Sequence, residues 1–138
     1  MNWGRILVAA LVGGVVMWLV SFVLHGLVMG ATYMKYPDVF TQTAANPVWF
    51  LVIEVLIALP AAAIFSRTRA SWGPGVMGGV VFGFWLGLFG FFAQFFNPLV
   101  IDGFPYYLAW CWGGVNLIVS LVLGAVLGAM IKPRAAAA

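Results

Sequence analysis

The stretch Gly75-Val76-Met77-Gly78-Gly79-Val80-Val81-Phe82-Gly83-Phe84-Trp85-Leu86-Gly87 decides the fold. Glycine recurs at 75, 79, 83 and 87, every fourth residue of a long apolar run. On a helix this spacing puts all four on one face and leaves a bare backbone strip for a neighbour. Lipid tails are as apolar as leucine, so helices in a bilayer associate through close van der Waals contact, which small residues permit. The run predicts a membrane-spanning helix packed tightly on another.

Composition agrees. Of 138 residues 65% are hydrophobic and 7% charged, where a soluble domain carries about a quarter of its residues as charges. The 17 glycines point the same way, glycine being commoner in membrane helices than in soluble ones. The chain reads as one integral membrane domain, residues 1–138. Its net charge of +3 is spread over single or paired Lys and Arg, with no basic stripe to follow a nucleic-acid backbone, so nucleic acid is excluded as a partner. Cys111 is the one cysteine; it allows no intrachain disulfide or thiolate cluster and reads as a small hydrophobe in an apolar run.

Working outward, a span needs roughly 20 apolar residues. The pattern predicts spans at about 6–29, 47–65, 75–96 and 106–131. Arg5 ahead of an apolar run suggests a secretory signal, but the run continues to about Met29 without a small-residue cleavage site, so it is expected to be retained. Thr32 to Asn46 is a polar connector whose Tyr33 and Tyr36 suit a membrane interface. Pro47 is a good first helical residue. Pro60 inside the second span should kink it and free a carbonyl. Asn97-Pro98 is expected to end the third span and Lys132-Pro133 the fourth. Four spans place both termini on one side with Arg5, Arg67, Arg69, Lys132 and Arg134, while Lys35 lies opposite. The positive-inside rule then makes both termini cytoplasmic, in what we expect to be a bacterial inner membrane.

The fourth-residue pattern extends to the other spans. Ala9, Gly13, Met17, Ser21 and His25 repeat along the first, and Glu54, Ala58, Ala62 and Ser66 along the second. Asn116, Ser120, Gly124 and Gly128 repeat along the fourth. The expected fold is all-α, a four-transmembrane-helix bundle with small-xxx-small packing faces inside and bulky residues toward lipid. Gly75, Gly79, Gly83, Gly87, Ser120, Gly124 and Gly128 are its candidate packing residues. Trp3 and Trp72 at one end, with Trp49, Tyr33, Tyr36, Tyr106 and Tyr107 at the other, read as interfacial belts without chemistry. Phe91-Phe92-Ala93-Gln94-Phe95-Phe96 would serve to wall a lipid, quinone or pigment, but reads first as lipid-facing filler.

Polar groups within the spans are the candidate site: His25, Glu54, Gln94 and Asn116. At about 1.5 Å per residue, the first three share one layer in the half of the bundle away from the termini, and Asn116 lies deeper. A carboxylate in the membrane costs about 3 kcal/mol on insertion scales, so Glu54 is expected to face a partner or a watery cavity. His25 is the obvious candidate partner, giving either a proton-carrying or ligand-coordinating pair or a contact that fixes helix register. Gln94 and Asn116 read as interhelical hydrogen bonds, worth roughly 0.6 kcal/mol per contact. His25, with Gly26 beside it and Gly30 one turn on, also suits an axial ligand. The single histidine fits a chlorophyll-type pigment, or haem in a dimer or with a methionine. Motifs for hydrolysis, phosphate binding or metal catalysis are missing, and no paired broken helices suggest a transporter.

The opening Arg5-Ile6-Leu7-Val8-Ala9-Ala10-Leu11-Val12-Gly13-Gly14, with His25-Gly26 at the end of the first span, resembles small four-helix bacterial membrane proteins of uncharacterised families. The resemblance covers the first span and the four-helix layout, and implies neither an activity nor site residues. The sequence therefore leads us to expect a non-catalytic integral subunit, surrounded by lipid and packed against other membrane subunits or itself. The alternatives are a pigment- or haem-binding subunit using His25 and a proton-linked carrier or channel using Glu54 and His25.

Overall fold

A computed structural model describes residues 2–41 and 46–133. Arg134, the alanine tail and part of the first connector lie outside the described residues. The described residues are helical with no strand, and four helical stretches are long and apolar enough to cross a membrane: Trp3–Val28, Pro47–Arg67, Gly75–Val100 and Tyr106–Met130.

Helix α1 (Trp3–Ser21) starts where the Asn2 side chain accepts the Arg5 N–H at 3.2 Å, satisfying one of the donors a helix start leaves open. It continues as a wide π-helical turn, Phe22–Val28, closed by the Met29 N–H on the Leu24 carbonyl. An α-helix drifts by about 40° over four residues; the wide turn takes up extra residues and corrects that drift around His25. A short helix α2 (Gly30–Tyr33) then turns the chain into the connector.

Helix α3 (Pro47–Arg67) begins with Pro47 at its first position and the Asn46 side chain accepting the Val48 N–H at 3.0 Å. It passes through Pro60 without interruption, with Pro60 on the exposed face. Helix α4 (Gly75–Ala93) opens at Gly75, whose φ of +58° favours glycine. Asn97-Pro98 does not end the third span as expected. A 3₁₀ turn (Gln94–Phe96) leads into α5 (Asn97–Val100), because proline in a first helical turn sacrifices no intrahelical N–H bond. Helix α6 (Tyr106–Met130) closes the fold.

The helices pack in the spatial order α3, α1, α6, α4, with the broadest contact between α4 and α6 and only a slight one between α3 and α6. At Gly79 and Gly83 the two backbones come so close that an added Cβ would overlap the carbonyl oxygens of Gly124 and Ser120. A Cβ at Gly87 would lie 2.9 Å from the Leu117 Cα. Gly75 differs from the expected packing role: a Cβ there would meet nothing, and its own carbonyl is what faces Gly128. On the other flank a Cβ at Gly14 would come within 2.6 Å of the Val55 Cα. The core is small or aliphatic: Ile6, Ala9, Ala58, Ala62, Leu108, Leu123 and Leu127 are buried, with Phe65 the largest fully buried side chain.

Helices α3 and α4 are successive in the chain but not packed side by side. At the end holding the termini, Phe65 reaches Phe82 (ring centroids 5.1 Å) and Trp72 closes on Phe82 (5.3 Å). Toward the opposite end a cavity opens, walled by the first span, α3 and α6, with Gln94 just past α4 at its edge.

Arg69 holds the joined end. It is buried, and its Nε donates to the Ile131 carbonyl at 2.8 Å while Nη1 donates to the Gly73 carbonyl at 2.9 Å. Its guanidinium carbon sits 5.1 Å from the centre of the Phe65 ring. A cation bonded to the carbonyl just beyond α6 suits the negative end of that helix. Sequence alone offered Arg69 only as a flanking charge.

Candidate functional site: a polar-lined cavity between the helices

The cavity has a volume of about 1080 Å³ and receives His25, Glu54, Gln94 and Asn116 on its lining, so the four expected polar residues meet at one place. Much of the wall is aromatic: Trp18 and Phe22 from the first span, Phe40 from the connector, Phe50 from α3 and Trp112 from α6. The connector folds over the end, adding Met34, Pro37 and Thr41.

Glu54 and His25 face the same space but are not bonded to each other. The Ser21 hydroxyl donates to the Glu54 carboxyl at 2.7 Å, which fastens α1 to α3. Ser21 lies four residues before His25, at the start of the wide turn. His25 turns instead to Tyr33: its Nδ1 lies 2.5 Å from the Tyr33 hydroxyl. The Trp112 indole N–H donates to the same hydroxyl at 2.9 Å, and the Met29 sulfur lies 3.6 Å away.

Tyr33, just beyond the end of the first span, is therefore also the hub of the site, a role the interfacial reading did not include. Burial pushes its pKa up to about 12, against the opposing effect of the Trp112 hydrogen bond, so it stays a neutral donor. Its single proton has two acceptors, the His25 nitrogen and the Met29 thioether. The nitrogen is the stronger acceptor, and when it takes the Tyr33 proton the imidazole carries its own proton on Nε2. With Nδ1 taken by Tyr33, Nε2 is the nitrogen left for a ligand. Tyr33 was within reach of sequence reasoning, since His25, Met29 and Tyr33 repeat every fourth residue; Trp112 carried no such signal.

Gln94 and Asn116 do not form the expected interhelical bonds. The Asn116 amide donates to the Trp112 carbonyl of its own helix at 3.1 Å, and Gln94 accepts from Asn97 at 3.0 Å. Each thus holds a local partner while facing the cavity. The Phe91–Phe96 run divides by face. Phe91 and Phe95 meet Trp110 of α6 edge-on (ring centroids 5.8 and 4.9 Å), whereas Phe92 and Phe96 are exposed. Cys111 is also exposed on the helix surface.

Among the described residues no group of three or more His, Cys, Asp or Glu stands ready to hold a metal ion. No family model, curated protein or solved structure matches the chain.

Proposed function

We propose that the protein is a membrane-embedded binding protein for a lipid-soluble molecule with an oxygenated head, of the quinol or quinone type. The supporting observation is the cavity itself: about 1080 Å³, mostly apolar, with a few converging polar groups inside an all-helical membrane domain. Such sites bind the ligand body by apolar contact and fix its orientation with few hydrogen bonds. Here Nε2–H of His25 serves a carbonyl or hydroxyl oxygen, and the Glu54 carboxyl accepts from a hydroxyl. The aromatic walls stack on the ring. A purely structural role, packing against a larger complex or a second copy, leaves this cavity without account.

The orientation that agrees with this function puts the basic end, with both termini, in the cytoplasm of a bacterial cell and the cavity toward the outer leaflet. A terminal reporter active only in the cytoplasm should report from both ends.

The test is a titration of tryptophan fluorescence, because Trp18 and Trp112 line the cavity. A ring with two oxygens and an isoprenoid tail should saturate the signal, and the same tail without its ring should not. Equal response to both would remove the polar groups from recognition and contradict the proposal.

A second ligand class is favoured by one contact. If the Tyr33 proton goes to Met29, His25 donates from Nδ1 to Tyr33 and presents a bare Nε2, the form in which histidine binds a metal with its other nitrogen anchored. That tautomer would suit the magnesium of a chlorophyll-type pigment, and visible absorption in protein from native membranes, lost in His25→Ala, would select it.

A further inference from the structure

A second cavity, of about 670 Å³, lies at the other end of the molecule. Arg5 and Asn2 at the start of α1, Arg67 at the end of α3 and Arg69 in the turn after it, and Lys132 after α6 line it, with Ile6 as apolar floor. Three chain segments far apart in sequence thus bring their cations to one hollow. The chain has only three acidic side chains. Asp38 and Asp102 belong to the connectors at the opposite end and Glu54 to the large cavity, so no side-chain carboxylate lies beside Arg5 and Lys132.

We propose that this hollow holds the phosphate of an anionic membrane lipid. The charges differ in what they contribute. Arg69 is buried and its donors are engaged by the carbonyls of Ile131, Trp72, Gly73 and Gly75, so it supplies positive potential without a contact of its own. Arg5 and Lys132 are exposed at the mouth and provide the donors; the arginine fork suits two phosphate oxygens and the lysine acts as a point charge. The source of the phosphate follows from depth. The hollow sits at the ends of the spans Trp3–Val28, Pro47–Arg67 and Tyr106–Met130, the level at which lipid headgroups lie, and basic hollows between helix ends are a setting in which anionic headgroups bind. Leu7 and Leu11, on the lipid-exposed face of α1, offer apolar surface for an acyl chain.

The experiment is native mass spectrometry of the full chain, stripped of lipid in a non-ionic detergent and offered equal amounts of phosphatidylglycerol and phosphatidylcholine. Wild type should retain phosphatidylglycerol in clear excess. Arg5→Gln with Lys132→Gln should lower that retention roughly thirtyfold, Arg5→Lys with Lys132→Arg should restore it, and Lys35→Gln at the opposite end should leave it unchanged. Equal retention of the two lipids by wild type overturns the proposal, and this comparison stands even if the double variant does not fold. Undiminished phosphatidylglycerol binding by a folded double variant also overturns it. Displacement of the lipid by millimolar inorganic phosphate would show that the free anion is the ligand, and would overturn the lipid assignment.

Discussion

The indole N–H of Trp112 donates to the hydroxyl of Tyr33, 79 residues away in the chain, at 2.9 Å. This bond ties the first connector to α6 and holds the hydroxyl against His25. Trp112→Phe keeps the aromatic wall and removes the donor. It should cost about 0.5–1.5 kcal/mol of stability and weaken ligand binding only modestly. Tyr33→Phe leaves His25 Nδ1 without its partner and frees the ring to turn, so it should weaken binding more. Fluorescence titration of the two variants checks the order; equal effects would show that Tyr33 does not position His25.

Tyr33 also gives a pH signature. Its pKa stands at about 12 in the folded protein against an ordinary 10.0. Folding therefore favours the neutral phenol, a contribution complete below pH 10 and lost as pH rises toward 12. Tyr33→Phe should flatten that part of the stability profile. Unfolding midpoints measured in detergent at pH 9, 10 and 11 for both proteins test it; parallel curves would refute it.

The Ser21–Glu54 hydrogen bond predicts a different pair of outcomes. Ser21→Ala strands a half-buried carboxyl and should destabilise by about 1–3 kcal/mol. Adding Glu54→Gln should recover part of the loss, since an amide is easier to leave unpaired in the membrane than a carboxylate. Thermal unfolding of the single and double variants decides, and strictly additive losses would count against a direct interaction.

The four apolar stretches are legible in the sequence because the bilayer demands long runs of about 20 apolar residues, a signal that survives without any tertiary knowledge. What eludes it is how those stretches are continued and joined. Asn97-Pro98 reads as a stop, yet Pro98 falls where its missing N–H does no harm and the helix resumes. The layer of His25, Glu54 and Gln94 follows from counting residues along helices. Their partners do not, because a π turn shifts the phase around His25 and the connector returns Tyr33 into the space below it. A belt tyrosine and a cavity tyrosine look alike until the loop is folded. Arg69 escaped in the same way: flanking arginines usually report topology, and nothing local indicates that this one turns inward to the end of α6.

The glycine pattern makes a prediction that separates close approach from mere abundance. Gly83→Ala pushes a methyl into the Ser120 carbonyl and should destabilise by about 1–3 kcal/mol, despite alanine's better helix propensity. Gly114→Ala meets open space and should be neutral or stabilising. Similar effects at the two positions would show that α4 and α6 do not meet as closely as described.

The central claim is that the large cavity holds a lipophilic molecule through His25 and Glu54. The most direct measurement is the small-molecule content of the protein after gentle extraction from its native membranes, compared with His25→Ala and Glu54→Gln variants of unchanged helicity. The account predicts one oxygenated lipophilic compound near one per chain in wild type and strongly depleted in both variants. The same lipid profile in all three proteins would contradict it.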